Sequence, residues 1–574
     1  MPKMKEMRHT VDEKSQNEKE HIMDRLESPK RLSPFLVEIL FCTVWFILQG
    51  IKGMVDTDVF YIISTGNYIL SHGIPHTNPF ITTPGMPIVI QNWAYCAMIA
   101  WVRQSFGTAG LFILTVLMIA GVYLVVQSLT AKTVTDPWVR LICTVILTNM
   151  FGYLNLRPEI LTFLLIVSEL YGIEKYQQTS KKRYLGMFPV AMLAEVNFHA
   201  SYWIMHLIVL LPYLVKFPCK RVMQTCMTGK MRRTLIFAAI LSMPVLLVNP
   251  YGLENATYVF DAMASGALKL MKISELLPFA LNDLTYVPPI LGSVLLFFYG
   301  LEHSGKRTEQ GKILTLTSTV VWMWGGFLIL VISKAKWYPF FMLGTLYLFK
   351  NTGSAIEDAM IKLWSKIRLD RATKLVLAIC MAVLVVGLGK ESTKPLRMIF
   401  TNQPLTDVYF ARYADDTMLE DWRAVRQTVT EDPDSDICCL PPEYNQFFEY
   451  EGFQVYIDMR PELYISKKGE EGRSILENMV SIYNMRRNLT DTNLSFPLLM
   501  QKEKKNEKES QKPEKDSDFL SAKEYEALVR DIPAHYFLLA NADRGGILGL
   551  FLEEHDGEYE KSYEGKNMTL YKRR

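Results

Sequence analysis

The chain has 574 residues, 49% of them hydrophobic and 21% charged. Its formal net charge of +3 is too near neutral to point to a nucleic-acid partner. A soluble chain of this length divides into several cores. Here the apolar residues instead bunch into long runs over the first two thirds, which argues against an ordinary soluble enzyme and makes a lipid bilayer their expected solvent.

Residues 1–33 are charged and poorly apolar, and read as a flexible cytoplasmic tail without a cleavable signal peptide. Apolar runs follow at 35–54, 108–129, 137–155, 158–174, 184–197, 201–217, 234–249, 285–301, 313–332, 337–349 and 375–389. A bilayer needs ~20 apolar residues per helix, so these give about eleven predicted spans. The first is expected to stay as a signal anchor. Lys and Arg accumulate in cytoplasmic loops. Lys175, Lys181, Lys182 and Arg183; Lys216, Lys220, Arg221, Lys230, Arg232 and Arg233; Lys306, Arg307 and Lys312; and the group from Lys350 to Lys374 fall in one alternating set of loops. The N-terminus is therefore expected inside and everything after residue 390 outside. Read as one span, 184–217 would put the six cations of 216–233 outside, so it is split at Asn197–Ser201.

The first outer loop, 55–107, carries two amphipathic stretches, 58–71 and 91–104, expected to lie along the membrane surface. The outer loop 250–284 has the same character. Residues 391–574 turn polar, and strand-like runs at Asp436–Leu440, Phe453–Met459, His535–Ala540 and Met568–Lys572 alternate with helical patterns at 415–428, 473–487 and 521–531. That alternation predicts an α/β extracytoplasmic domain, with a disordered charged insertion near 502–518. The fold class expected is thus an α-helical polytopic membrane domain, 34–390, followed by this α/β domain. The eight cysteines show no C-x-x-C spacing and read as filler.

The unusual polar clusters nearly all fall on the predicted outer side: DTD (56–58), HGIPHTNPF (72–80), NLRPE (155–159), EVNFHAS (195–201), NPYG (249–252), ISELLPFALND (273–283) and KAKW (334–337). Singly, each has an ordinary reading. Asp56 and Asp58 could end a helix in water, Arg157 with Glu159 could be a surface pair, His199 could pack at an interface, and Lys334 and Lys336 could touch lipid phosphates. Ionisable groups near a bilayer are costly, however, and several converging from different spans point to a site.

The stretch DTDVFYIISTGNYILSHGIPHTNPF resembles the segment after the first span of GT-C type membrane glycosyltransferases, which depend on polyprenyl-phosphate sugars. The likeness is to a branch of large bacterial members. Asp56, Asp58, Gly66, Gly73, Pro75, Pro79 and Phe80 fit that pattern, and RPE (157–159), N-x-H (197–199), NPYG (249–252), I-x-E (273–275) and IDMRPELY (457–464) continue it in order. Ile62, Asn78, Asn92 and Leu276 depart from it, which leaves the substrate open.

The resemblance implies sugar transfer on the outer face of the cell membrane by a multi-pass protein. The donor would be a polyprenyl-phosphate-linked sugar and the acceptor a glycan or glycolipid, with no nucleic acid involved. A carboxylate after the first span would act as general base, Asp56 slightly ahead of Asp58. Arg157, Lys334 and Lys336 would stabilise the departing phosphate, while Asn197, His199 and Asn249 would orient donor or acceptor. Glu159 and Glu275 would also line the site, and together with Asp56 and Asp58 could hold a divalent cation, which no spacing demands. Asp458 and Arg460 read first as an internal pair fixing a strand end, and second as acceptor-binding groups. A non-catalytic scaffold keeping the same fold is the alternative. A transporter is disfavoured because the polar residues gather at span ends rather than at the midplane and no repeat is visible. No phosphate-binding G-x-x-x-x-G-K-[ST] loop occurs.

Overall fold

A computed structural model describes residues 34–152, 154–225, 227–264, 278–279, 283–307, 311–366, 392–432, 435–458, 460, 464, 474–484, 522–541 and 546–574. The chain forms two compact units, Met1–Trp45 and Phe46–Arg574. It is mostly helical, with a small sheet near the C-terminus.

The two amphipathic stretches of the first loop are helices. Asp58–His72 buries Val59, Phe60, Ile62, Ile63 and Gly66, and Trp93–Thr130 follows after a looped connection. The latter is two helices joined at Gly107, whose φ of 66° only glycine adopts without strain. Asn402 fastens this break, accepting from the Thr108 N–H at 2.9 Å. The predicted surface stretch 91–104 and the predicted span 108–129 are therefore the two sides of one bend. Gly66 lets Asp58–His72 lie against the next helix, since a Cβ there would overlap the Cys96 backbone.

The later helices follow the apolar runs with altered lengths. Pro137–Asn149 has 13 residues, shorter than its run, whereas Tyr338–Lys366 has 29 and outlasts its own. Glu159–Thr179, Val287–His303 and Ser318–Ser333 cover most of their runs, whereas Gly229–Ser242 is shifted toward the N-terminus of its own. The split at Asn197–Ser201 is present: Met187–Phe198 stops at His199, and helix resumes at Trp203–Ile208. The run 375–389 lies outside the described residues.

Among the described residues, Trp93–Thr130 is the one helix long and apolar enough to cross a membrane, and shorter apolar helices include Ala200–Leu214 and Ser318–Ser333. Large apolar side chains point outward at helical spacing: Ile113, Leu117 and Leu124; Phe237, Ile240 and Leu241; Leu291, Leu295 and Phe298. Water tolerates such stripes poorly, whereas hydrocarbon accepts them.

The C-terminal sheet has four strands among the described residues, β1 (Ile437–Leu440), β2 (Tyr536–Ala540), β3 (Tyr559–Glu564) and β4 (Met568–Arg573), in the order β1-β2-β4-β3. β1 pairs parallel with β2, and the other pairs are antiparallel. Three of the four expected strand runs are strands. The fourth, Phe453–Met459, makes only isolated bridges, with Val455 between Ile437 on one side and Ile81 of the first loop on the other. The sequence reading did not anticipate β3, whose six residues are mostly polar and exposed and carry no apolar alternation. The helices Asp416–Thr430, Ile475–Asn484 and Ala522–Asp531 fall where expected. One continuous apolar core joins Met54, Phe60, Ile63 and Ile99 of the first-loop region to Trp422, Phe447, Val455 and Leu538 of the sheet region. The insertion near 502–518 lies outside the described residues.

Candidate functional site

The first apolar helix, Pro34–Met54, gives way to helix Asp58–His72 through three residues that include Asp56. Asp56 Oδ1 accepts the Asp58 backbone N–H at 3.1 Å, satisfying a donor of the first turn, and the Asp58 carboxylate sits at the positive helix end. The segment 155–157 docks here through the Leu156 N–H, which donates to the Gly53 carbonyl at 2.9 Å. Arg157 Nε then reaches Asp56 Oδ1 at 2.6 Å and Arg157 Nη1 reaches Asp58 Oδ2 at 3.2 Å. Asn155 donates to Asp56 Oδ2 at 2.7 Å. Asp56 is 14% exposed and Asp58 27%. Two carboxylates thus share one guanidinium, and both of Asp56's oxygens are engaged.

Two residues on, Glu159 opens helix Glu159–Thr179, and its Oε1 lies 4.0 Å from Nε2 of the buried His199. His199 Nδ1 meets Thr162 Oγ1 at 2.9 Å, and that hydroxyl donates to Glu195 Oε1 at 2.7 Å. The His199 ring packs on Tyr202, with centroids 4.4 Å apart, and Lys336 lies over the other ring at 5.3 Å from the Tyr202 centroid. The phenols of Tyr61 and Tyr95 feel the carboxylates of both groups. Burial pushes both well above the usual tyrosine value, and nearby carboxylates add to it: Asp58 and Glu159 at Tyr61, Glu159 and Asp56 at Tyr95.

No family model matches the chain, and no curated protein matches it. Among solved structures, the chain is similar to the Archaeoglobus fulgidus oligosaccharyltransferase tethered through a disulfide bond to an acceptor peptide containing the NVT sequon. The identity is 11% and the TM-score 0.42, over 89% of this chain and 69% of that one. The apo form of the same enzyme aligns at 11% identity with a TM-score of 0.40, over 89% and 70%.

The remaining expected residues divide. Asn197 accepts from Trp93 Nε1 at 3.0 Å and donates to the Val248 carbonyl at 3.0 Å, tying three segments together. Asn249 folds onto its own turn, donating to the carbonyls of Leu246 and Gly252 and accepting from the Tyr251 N–H. Asn249 is occupied in holding backbone, and Asn197 in holding backbone and the Trp93 indole. Lys334 is half-exposed, two residues before Lys336. Glu275 and Leu276 lie outside the described residues. Ile62 is fully buried in the first-loop core and Asn92 is buried. Asn78 donates to Asp458 Oδ2 at 3.3 Å and to the Tyr464 hydroxyl at 3.0 Å, so a carboxylate at 78 would face another carboxylate. Among the described residues no three His, Cys, Asp or Glu converge as metal ligands. Asp56 and Asp58 instead converge on Arg157, and Glu275, the fourth expected ligand, lies outside the described residues.

Asp458 and Arg460 do form an internal pair. Arg460 Nε and Nη2 both reach Asp458 Oδ2, and Nη1 reaches Thr65 Oγ1 of the first loop at 3.4 Å. Glu449 Oε1 stands 3.7 Å from Nη2. This buried knot ties the C-terminal region to helix Asp58–His72.

Polar groups also meet away from the predicted span ends. Glu169 and His206, from the interiors of two predicted spans, are fully buried and 2.7 Å apart, and Glu195 lies 3.3 Å from the same imidazole. The signal was present in the sequence as a carboxylate and an imidazole inside apolar runs.

Proposed function

We propose that the chain is a multi-pass membrane glycosyltransferase that moves a sugar from a polyprenyl-phosphate donor to a glycan or glycolipid acceptor at the outer membrane face. The observation that carries this reading is the Asp56–Arg157–Asp58 cluster. It sits at the end of the first apolar helix, beside Glu159 and His199 and against the region that anchors the sheet. A donor with a lipid tail needs its head group presented at such an apolar-to-polar border.

In this reading Asp58, the more exposed carboxylate, takes the proton of the acceptor hydroxyl. Asp56 is the positioning residue that holds Arg157. The acceptor oxygen attacks the anomeric carbon as the bond from that carbon to the phosphate oxygen breaks. A single displacement inverts the anomeric centre. Negative charge builds on the leaving phosphate, where Arg157 and Lys336 are the cations at hand. The outer domain would cap the cavity or hold the acceptor.

The test compares surface glycans and lipid-linked sugars in cells carrying wild-type, Asp58→Asn and Asp56→Asn proteins at matched membrane levels. Asp58→Asn is expected to abolish transfer. Asp56→Asn should leave a weakened activity, because Arg157 loses its tether. Glycans unchanged in both variants would replace this reading with the scaffold.

A further inference from the structure

The buried ionisable groups continue past the candidate site into the helices. Helix Glu159–Thr179 carries Glu159, Thr162 and Glu169. Glu159 and Glu169 are ten positions apart, which is roughly 15 Å along a helix axis. Met187–Phe198 contributes Glu195, the break contributes His199, and Trp203–Ile208 contributes His206. Glu195 and His206 are eleven positions apart, roughly 16 Å along a straight helix. Their 3.3 Å approach therefore requires the chain to turn at the break, and the polar break at His199 allows it.

The atoms form an ordered string. His199 Nε2 faces Glu159 Oε1 at 4.0 Å. His199 Nδ1 meets Thr162 Oγ1 at 2.9 Å, and Thr162 donates to Glu195 Oε1 at 2.7 Å. Glu195 Oε2 lies 3.3 Å from His206 Nε2, and His206 Nδ1 meets Glu169 Oε2 at 2.7 Å. A hydroxyl has one hydrogen. With the Thr162 hydrogen spent on Glu195, its oxygen must accept from His199, so Nδ1 carries the proton and Nε2 offers a lone pair toward Glu159.

The inner end is short of hydrogen-bond partners. Glu169 Oε1, Glu195 Oε2 and His206 Nε2 are buried and make no aligned hydrogen bond. All three side chains are fully shielded from solvent. Fully ionised, two carboxylates around one imidazolium leave a net negative charge, which costs several kcal/mol in such surroundings. One further proton makes the triad neutral. The groups facing His206 are Glu169 and Glu195; those facing His199 are Glu159, Glu195 and Lys336.

From this geometry we propose that Glu195, His206 and Glu169 form a proton-binding site, loaded and emptied through His199 and Thr162 from the Glu159 side. A proton arrives on His199 Nε2 as the Nδ1 proton passes to the Thr162 oxygen. The Thr162 hydrogen passes to Glu195, and the His206 imidazolium, which carries both ring hydrogens, hands its Nδ1 proton to Glu169 and keeps the one on Nε2. His199 and Thr162 each give up one proton as they take one, and the net change is one proton gained by the triad, which goes from net negative to neutral. This assignment does not require sugar transfer, although a reaction that deprotonates a hydroxyl beside Glu159 would have a use for it.

The test is infrared spectroscopy of the full chain in lipid nanodiscs. A buried protonated-carboxyl band is expected at neutral pH, removed by Glu169→Gln or Glu195→Gln. On transfer to deuterium oxide the band shifts as its proton exchanges. Thr162→Val keeps the side-chain shape but removes the relay, and is expected to slow that exchange at least about tenfold, while Thr162→Ser restores it. The threonine variants carry the test even if the carboxylate variants fail to fold. Absence of the band from mildly acidic to mildly alkaline pH would overturn the proposal, and so would equal exchange rates in Thr162→Val and wild type. Loss of glycan transfer with normal exchange would count against the glycosyltransferase reading alone.

Discussion

Arg460→Met removes the cation from the buried knot between the sheet region and the first loop. The methionine stem still fills the space beside Phe80, whose ring centroid lies 5.0 Å from the guanidinium, so the change is electrostatic more than steric. Asp458 keeps its contact with the Asn78 amide, but loses both guanidinium bonds. Glu449 loses its facing cation at 3.7 Å and has no hydrogen bond on either oxygen. Removing one partner of a buried pair costs about 3–5 kcal/mol. For a region of this size each kcal/mol is worth roughly 2–4 °C, so the Tm is expected to fall by about 6–20 °C. Differential scanning fluorimetry of the detergent-solubilised chain measures it. Limited proteolysis should also cut the first loop sooner. A Tm loss below about 2 °C would refute the view that the knot joins the two regions. Adding Asp458→Asn should recover part of the loss, because the orphaned carboxylate is then neutral.

Glu449 gives a pH prediction. Burial first, then the Asp458 charge, pushes its carboxyl above the ordinary range, against the pull of Arg460. The folded state holds this proton more tightly than the unfolded one, so the contribution is complete below the ordinary glutamate value and is lost as pH rises through the folded value. Glu449→Gln should flatten this alkaline decline in Tm, and an unchanged pH profile would count against it. Gly66→Ala places a methyl group against the Cys96 backbone and should cost about 1–3 kcal/mol by separating two first-loop helices, read as a lower Tm. Gly107→Ala forces a non-glycine residue to a φ of 66° and crowds Asn402, for a loss of about 1–2 kcal/mol by the same assay.

Elements with strong periodicity were legible in the sequence. The first-loop helices and three of the four strands carry apolar spacing that one fold satisfies, and the break near His199 was legible from the cations of 216–233. β3 was not legible, because this edge strand buries only its first residue, Tyr559, and its mostly polar side chains show no alternation. The short helix Asn445–Glu451 was also missed; its seven residues are too few for a period to show. In the candidate site, Asp56, Asp58 and Arg157 were legible as charges near a predicted span end, but their convergence depends on segment 155–157 docking at Gly53, which no local pattern encodes. Asn197 and Asn249 read as ligand-orienting amides; in the structure Asn197 bonds the Trp93 indole and backbone carbonyls, and Asn249 bonds backbone. Asn155 and Thr162 could not be singled out, since a lone amide or hydroxyl has no signature until its partner is placed.

Val455 pairs with Ile81 across the whole helical region, and Gln454 reaches the Pro79 carbonyl over a sequence separation of 375 residues. At roughly 5–20 residues per second, a ribosome needs roughly 20–75 s to supply the second partner after the first. Throughout that interval the loop 73–92 is a half-finished edge. Its assembly waits on synthesis of the segment around Val455, so a chain truncated before it would expose this edge to chaperones, proteases and other nascent chains.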